Sequence, residues 1–109
     1  MNIIPSSKFL REFKKLKKKY PSLFKDVDGL TESLQANPKI GEPLGKDCYK
    51  VRMAISSKNK GKSGGARVIT CVKIVDDTLY LLSIYDKSEQ ANMPDEEIDD
   101  VLRSLGLWA

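Results

Sequence analysis

Between Lys50 and Lys73 the chain carries Arg52, Lys58, Lys60, Lys62 and Arg67 and no carboxylate, and further on Tyr85 is followed two residues later by Lys87. Residues of these types can handle a phosphodiester. A guanidinium is planar, permanently charged and able to grip two phosphate oxygens at once, which makes Arg67 the candidate phosphate clamp. A lysine crowded by like charges gives up its proton more readily than a free one, so Lys58, Lys60, Lys62 and Lys87 are candidates for a base. Tyr85 offers an aromatic face for stacking and a phenolic proton for a departing oxygen. If the substrate is RNA, the 2′-hydroxyl is the nucleophile, and cleavage needs neither a metal nor an activated serine or cysteine. What remains is to take the 2′ proton, to stabilise the phosphate and to protonate the leaving 5′ oxygen.

Each of these residues also has a plainer reading. Lysines in a loop are commonly solvated and draw in phosphate without touching it, which fits Lys58, Lys60 and Lys62 as phosphate-binding residues. Arg67 can be the partner of Asp86 or Glu89 in a structural ion pair. Tyr85 alternates with Leu79 and Leu81, which equally suits a core or rim position. Arg52, on the outward side of its strand, is placed either to line the same groove or to stand in solvent. Glu89 can orient Lys87 or balance its charge.

The rest of the composition narrows the field. With 109 residues, 40% of them hydrophobic, the chain can fill one modest core, so a single domain is expected. The net charge of +4 is mild, but it is segregated. Lys8, Arg11, Lys14, Lys15, Lys17, Lys18, Lys19 and Lys25 face only Glu12 in the first 25 residues, while the acids gather from Asp95 to Asp100. At least one strongly positive surface must result, suited to an anionic partner. The chain has no histidine, and its only cysteines are Cys48 and Cys71, so neither a zinc site nor a disulfide framework can be assembled. Both thiols are expected in the core, and no metal or cofactor is expected. Met1 to Pro5 is too short for a secretory segment and no apolar run spans a bilayer, so the expectation is a cytoplasmic protein without a membrane partner.

The elements that must position these residues follow from periodicity. After a short strand at Asn2 to Ile4, Pro5-Ser6-Ser7 starts a helix with Phe9, Phe13, Leu16 and Tyr20 on one stripe and lysines on the other, ended by Pro21. Leu23, Val27, Leu30 and Leu34 mark a second helix, which stops at Asn37-Pro38. Lys39 to Gly45 reads as a connecting loop. Tyr49, Val51, Met53 and Ile55 then alternate with Lys50, Arg52 and Ala54, as in a half-buried strand with a basic face. A basic glycine-containing loop from Ser57 to Ala66 leads into strands over Arg67 to Val75 and Thr78 to Tyr85, joined at Asp76-Asp77. Ile98, Val101, Leu102 and Leu105 define a last helix with acids in its first turn. The order, strand, two helices, three strands and a helix, is that of an α+β fold.

Two stretches, Lys60-Gly61-Lys62-Ser63-Gly64-Gly65-Ala66-Arg67-Val68-Ile69 and Leu81-Leu82-Ser83-Ile84-Tyr85-Asp86-Lys87-Ser88-Glu89, resemble the HigB-like branch of the RelE/ParE toxins. Phe13 to Pro21 and Asn37-Pro38 to Pro43-Leu44 fit the opening helices and loop of that family, so the resemblance covers nearly the whole chain. It implies one toxin domain over residues 1–109 with a RelE-like, microbial RNase-like fold: an antiparallel sheet, two N-terminal helices packed on one face and a C-terminal helix. It further implies a type II toxin–antitoxin system toxin that cleaves mRNA on the translating ribosome, without a metal, and inhibits translation. Its partner would be a helix-turn-helix antitoxin, held in a hetero-oligomer. On the same fold, a ParE-type inhibitor of DNA gyrase or a non-cleaving RNA-binding module is the alternative. The resemblance puts Arg67 at the family's phosphate-binding arginine and Lys87 where a basic residue follows the last strand. It puts Tyr85 where a group acting on RNA often sits, and Lys58, Lys60 and Lys62 in the basic loop. Many relatives place histidines in the site, and an aromatic pair after the arginine is replaced here by Thr70-Cys71, which leaves the identity of the acid and base open.

Overall fold

In the computed structural model, which describes residues 1–59 and 61–107, the chain runs β1 (Asn2–Pro5), α1 (Ser7–Lys19), α2 (Leu23–Ala36), β2 (Glu42–Gly45), β3 (Cys48–Met53), β4 (Ala66–Lys73), β5 (Thr78–Asp86) and α3 (Asp95–Ser104). Short 3₁₀ turns at Ser56–Lys58 and Ile74–Asp76 follow β3 and β4. No helix among the described residues is long and apolar enough to cross a membrane.

Ser6 sets the start of α1. Its hydroxyl oxygen accepts from the Phe9 backbone N–H at 3.0 Å and donates to the Leu82 carbonyl at 2.8 Å, so one residue caps the helix and fastens it to β5. Phe9 is buried and Phe13 and Leu16 pack beside it, while the lysines of the last turn sit at the negative end of the helix dipole. Beyond the end of β1, Glu12 takes over the open edge of β5: one carboxylate oxygen accepts from the Ser83 hydroxyl at 2.7 Å and from the Ile84 N–H at 3.3 Å. A strand edge that would otherwise be left unpaired is satisfied by a helix side chain.

The sheet order is β1-β5-β4-β3-β2. The meander β3–β4–β5 is antiparallel as expected, but the sheet is mixed, because β1 lies parallel to β5. The stretch expected as a loop also contributes a strand, with Glu42 to Gly45 pairing with β3 across a register shift. Gly41 makes this possible: its φ is +104°, and a Cβ there would fall 2.5 Å from the Lys50 carbonyl oxygen.

The sheet separates two cores. Phe9, Leu23, Leu30 and Leu34 of α1 and α2 pack on Val51, Val68, Leu79, Leu81 and Ile84. On the other face Ile98, Val101 and Leu102 of α3, with Met93, pack on Cys48, Ile69, Cys71, Leu82 and Tyr85. Cys48 and Cys71 are cross-strand neighbours, both free and buried.

One irregularity decides which residues face which core. Ile69 is opposite Ser83 but Thr70 is opposite Leu81, so Leu82 is an extra residue in β5. In a period-2 strand, one inserted residue exchanges the faces of everything beyond it. Simple alternation groups Tyr85 with Leu79 and Leu81; the bulge instead sends Tyr85 to the opposite face, beside Arg67.

Candidate functional site

Beyond the bulge, three strands bring Arg52, Arg67 and Tyr85 into one cross-strand row: Arg52 is the ladder partner of Arg67, and Arg67 of Tyr85. Arg52 is exposed, whereas Arg67 is buried, with 3% of its surface accessible. Among the described residues no carboxylate forms an ion pair with either arginine. The Arg67 guanidinium instead donates from Nη1 to the carbonyls of Lys62 at 2.9 Å and Ala66 at 3.0 Å, and from Nη2 to that of Ser63 at 3.3 Å. Burial, and then the charge of Arg52, lower the proton affinity of Arg67. Tyr85 is buried as well, and among the described residues its hydroxyl has no hydrogen-bond partner of normal geometry. Burial pushes its phenol up, against the opposing pull of Arg67 and the Met93 backbone N–H.

Each of these features is costly in the free protein. Facing cations repel, a buried charge without a counter-ion is poorly solvated, and a buried hydroxyl without a partner loses about 1–3 kcal/mol. An anion that reached the two arginines would offset both their repulsion and the missing counter-charge. The arrangement can therefore bind an anion, stabilise added charge on it and present a phenolic proton beside it.

The loop before β4 is shaped to serve this row. Gly65 presses its backbone on the end of β3, where a Cβ would lie 2.1 Å from the Met53 carbonyl oxygen. The close approach that a glycine permits is thus made to the protein's own backbone. The Gly65 carbonyl in turn accepts from the Lys87 N–H at 3.1 Å, which ties the loop to the end of β5. The side chains of Lys62 and Lys87 are exposed, and Lys60 lies outside the described residues.

Lys58 stands apart from the other basic residues. Its Nζ is 2.8 Å from the Asp86 carboxylate, with 8% of the lysine side chain and none of the aspartate side chain exposed, and it reaches the Ser88 hydroxyl at 3.3 Å. The same carboxylate accepts from the Tyr20 hydroxyl at 2.6 Å and from the Ser88 backbone N–H and hydroxyl at 2.9 and 2.7 Å. Burial alone would raise the Asp86 pKa, but these bonds together outweigh it and hold the carboxyl well below its usual range. An ion pair of Arg67 with Asp86 or Glu89 is therefore not formed: Asp86 is taken by Lys58, and Glu89 pairs with Lys19 at 3.0 Å. The Asp86 cluster escaped sequence reasoning, although an acid ending an otherwise apolar strand and a tyrosine ending the stripe of α1 were its visible signals.

The family model described as the RelE toxin of the RelE/RelB toxin–antitoxin system matches residues 1–106, and the chain belongs to this family. It is thus a toxin of a type II toxin–antitoxin system, acts as an mRNA interferase and has an antitoxin as partner. Among solved structures, the chain is similar to a mutant of the E. coli toxin RelE in the free state, with a TM-score of 0.60 and 18% identity over 95% of this chain and 96% of that one. The isolated E. coli RelE toxin gives a TM-score of 0.60 and 18% identity over 94% and 97%. At that identity the likeness is one of fold.

Proposed function

We propose that the chain is a cytoplasmic, ribosome-dependent endoribonuclease that cuts mRNA by attack of the 2′-hydroxyl, with Arg67 and Arg52 holding the scissile phosphate. The observation that carries this is the Arg52–Arg67–Tyr85 row: two facing arginines that no carboxylate among the described residues pairs with, beside a buried phenol. Arg67 stabilises the charge that develops on the phosphate, and Arg52, being exposed, meets the strand first. Tyr85, next to Arg67 in the row, is the donor to the leaving 5′ oxygen. Lys87, Lys60 and Lys62 draw the RNA backbone to the row. RNA supplies its own nucleophile. The motifs around Gly64-Gly65 and Tyr85-Asp86-Lys87 favour the HigB-like branch, and a helix-turn-helix antitoxin in a hetero-oligomer fits the same assignment.

The test is brief expression from a tightly repressed promoter with new 5′ ends mapped on cellular messages, alongside Arg67→Ala at matched abundance. New ends confined to translated regions and lost in the variant are the expected result. Growth arrest without new ends would overturn the nuclease assignment in favour of a gyrase inhibitor, and an equally active Arg67→Ala would remove the clamp.

A further inference from the structure

We propose that Asp86 is a positioning residue of the cleavage reaction, holding the end of β5 and the start of the basic loop in register from behind the site. The proposal rests on the nuclease assignment above. Asp86 lies between Tyr85 and Lys87 in sequence but on the other face of the sheet from Tyr85, opposite Ala66 in the ladder and toward α1. Its carboxylate receives Tyr20 from the end of α1, Lys58 from the turn that opens the basic loop, and Ser88 from the turn that follows β5. The end of α1, the turn that opens the basic loop and the turn after β5 thus converge on one buried group. The last of these follows Tyr85 and carries Lys87, whose backbone bond to Gly65 extends the tie to the residues that fold around Arg67.

Stability alone is a weak reason for such a cluster. A buried ion pair is commonly no more stabilising than apolar side chains of the same volume, and its distinctive contribution is direction: charged partners meet in one geometry, methyl groups in many. Here the fixed quantity is the distance between the loop and the strand end, across which the phosphate row must close. Displacement by about 1 Å lowers turnover on the order of a hundredfold without removing any group that touches substrate.

Asp86→Asn strands the Lys58 charge and can simply weaken the fold, so the decisive protein is the double variant Asp86→Asn with Lys58→Met, which removes both charges and their bond. Single-turnover cleavage of a message on programmed ribosomes is measured for wild type and the double variant, with affinity for those ribosomes and thermal unfolding followed in parallel. The expected result is a double variant that unfolds within a few degrees of wild type and binds ribosomes within about threefold, yet cleaves at least tenfold more slowly. A double variant that cleaves at the wild-type rate would overturn the positioning role alone. So would a loss of cleavage matched by an equal loss of ribosome affinity. Wild-type protein that leaves the message intact on ribosomes would overturn the nuclease assignment and this role with it.

Discussion

Two cations near one end of the sheet are shut away from water, and they are treated in opposite ways. Lys58 meets a carboxylate, a tyrosine ring 5.4 Å from its Nζ, and a serine hydroxyl. Arg67 meets three backbone carbonyls and, across the ladder, another arginine. The first cluster holds its own counter-charge; among the described residues no carboxylate pairs with the second. A buried cation with its counter-charge supports the fold, whereas a buried cation without one is a place where negative charge from outside is stabilised.

That contrast breaks first at Lys58. Lys58→Met leaves Asp86 buried with no cation, and the expected cost is about 3–5 kcal/mol of folding stability. Denaturant titration would show it as a lowered midpoint with an unchanged slope. A midpoint equal to wild type would mean that the pair does not hold the two segments together. Arg67→Leu should behave in the reverse sense, because it removes a buried charge that no carboxylate among the described residues pairs with, along with its carbonyl bonds. Cleavage on ribosomes is expected to fall on the order of 10²–10³-fold, as when one oxyanion donor is lost, while the unfolding midpoint moves less than for Lys58→Met. If Arg67→Leu unfolds as readily as Lys58→Met, Arg67 is a structural loop anchor and the anion site must be sought at Arg52.

How far the sequence anticipates this depends on whether a feature is local. The stripe of Phe9, Phe13, Leu16 and Tyr20 and the alternation of Val51, Met53 and Ile55 are periodic, and α1 and β3 follow from them. Arg52 and Arg67 are legible as basic residues on strands, but their pairing depends on a register set by the loop between them. Tyr85 is placed on the α1 and α2 face by alternation because the bulge at Leu82 leaves no mark in residue type. The parallel pairing of β1 and the strand at Glu42–Gly45 are missed because four residues are too few to display a period. Asp86 is a distributed case: its partners lie 66, 28 and 2 residues away, and only the folded chain joins them.

A smaller effect is expected at Gly65. Gly65→Ala forces a Cβ into the Met53 carbonyl, and overpacking against backbone costs about 1–3 kcal/mol. Because the loop that carries Gly65 also supplies the carbonyls around Arg67, this variant should lose both stability and cleavage. It therefore lies between the two cation variants; loss of stability with cleavage intact would detach the loop from the site.

Acid sharpens the contrast from another side. The folded pKa of Asp86 lies below the unfolded value of roughly 3.9, so the unfolded chain takes up that proton first. The stabilisation is full above the unfolded pKa and is lost as pH falls through the folded one. The difference in stability between wild type and Asp86→Asn, measured by urea titration, should accordingly be constant above about pH 5 and shrink steadily below pH 4. A difference that stays flat down to acid unfolding would show that the Asp86 charge is not what the cluster stabilises.

The least effect belongs to a pair that joins the same two segments from outside. Lys19 and Glu89 link the end of α1 to the turn after β5 at 3.0 Å, much as Tyr20 and Asp86 do, and Glu89 raises the lysine pKa. The Lys19 and Glu89 side chains are 56% and 58% exposed, however, so water and salt screen the attraction and the side chains give up rotamer freedom to form it. Lys19→Ala should leave the unfolding temperature within experimental error of wild type, at low and at high salt alike. A drop comparable to that of Lys58→Met would mean that the tie between α1 and the β5 turn depends on the number of links rather than their burial. The contrast between paired and unpaired buried cations would then no longer account for which residues support the fold.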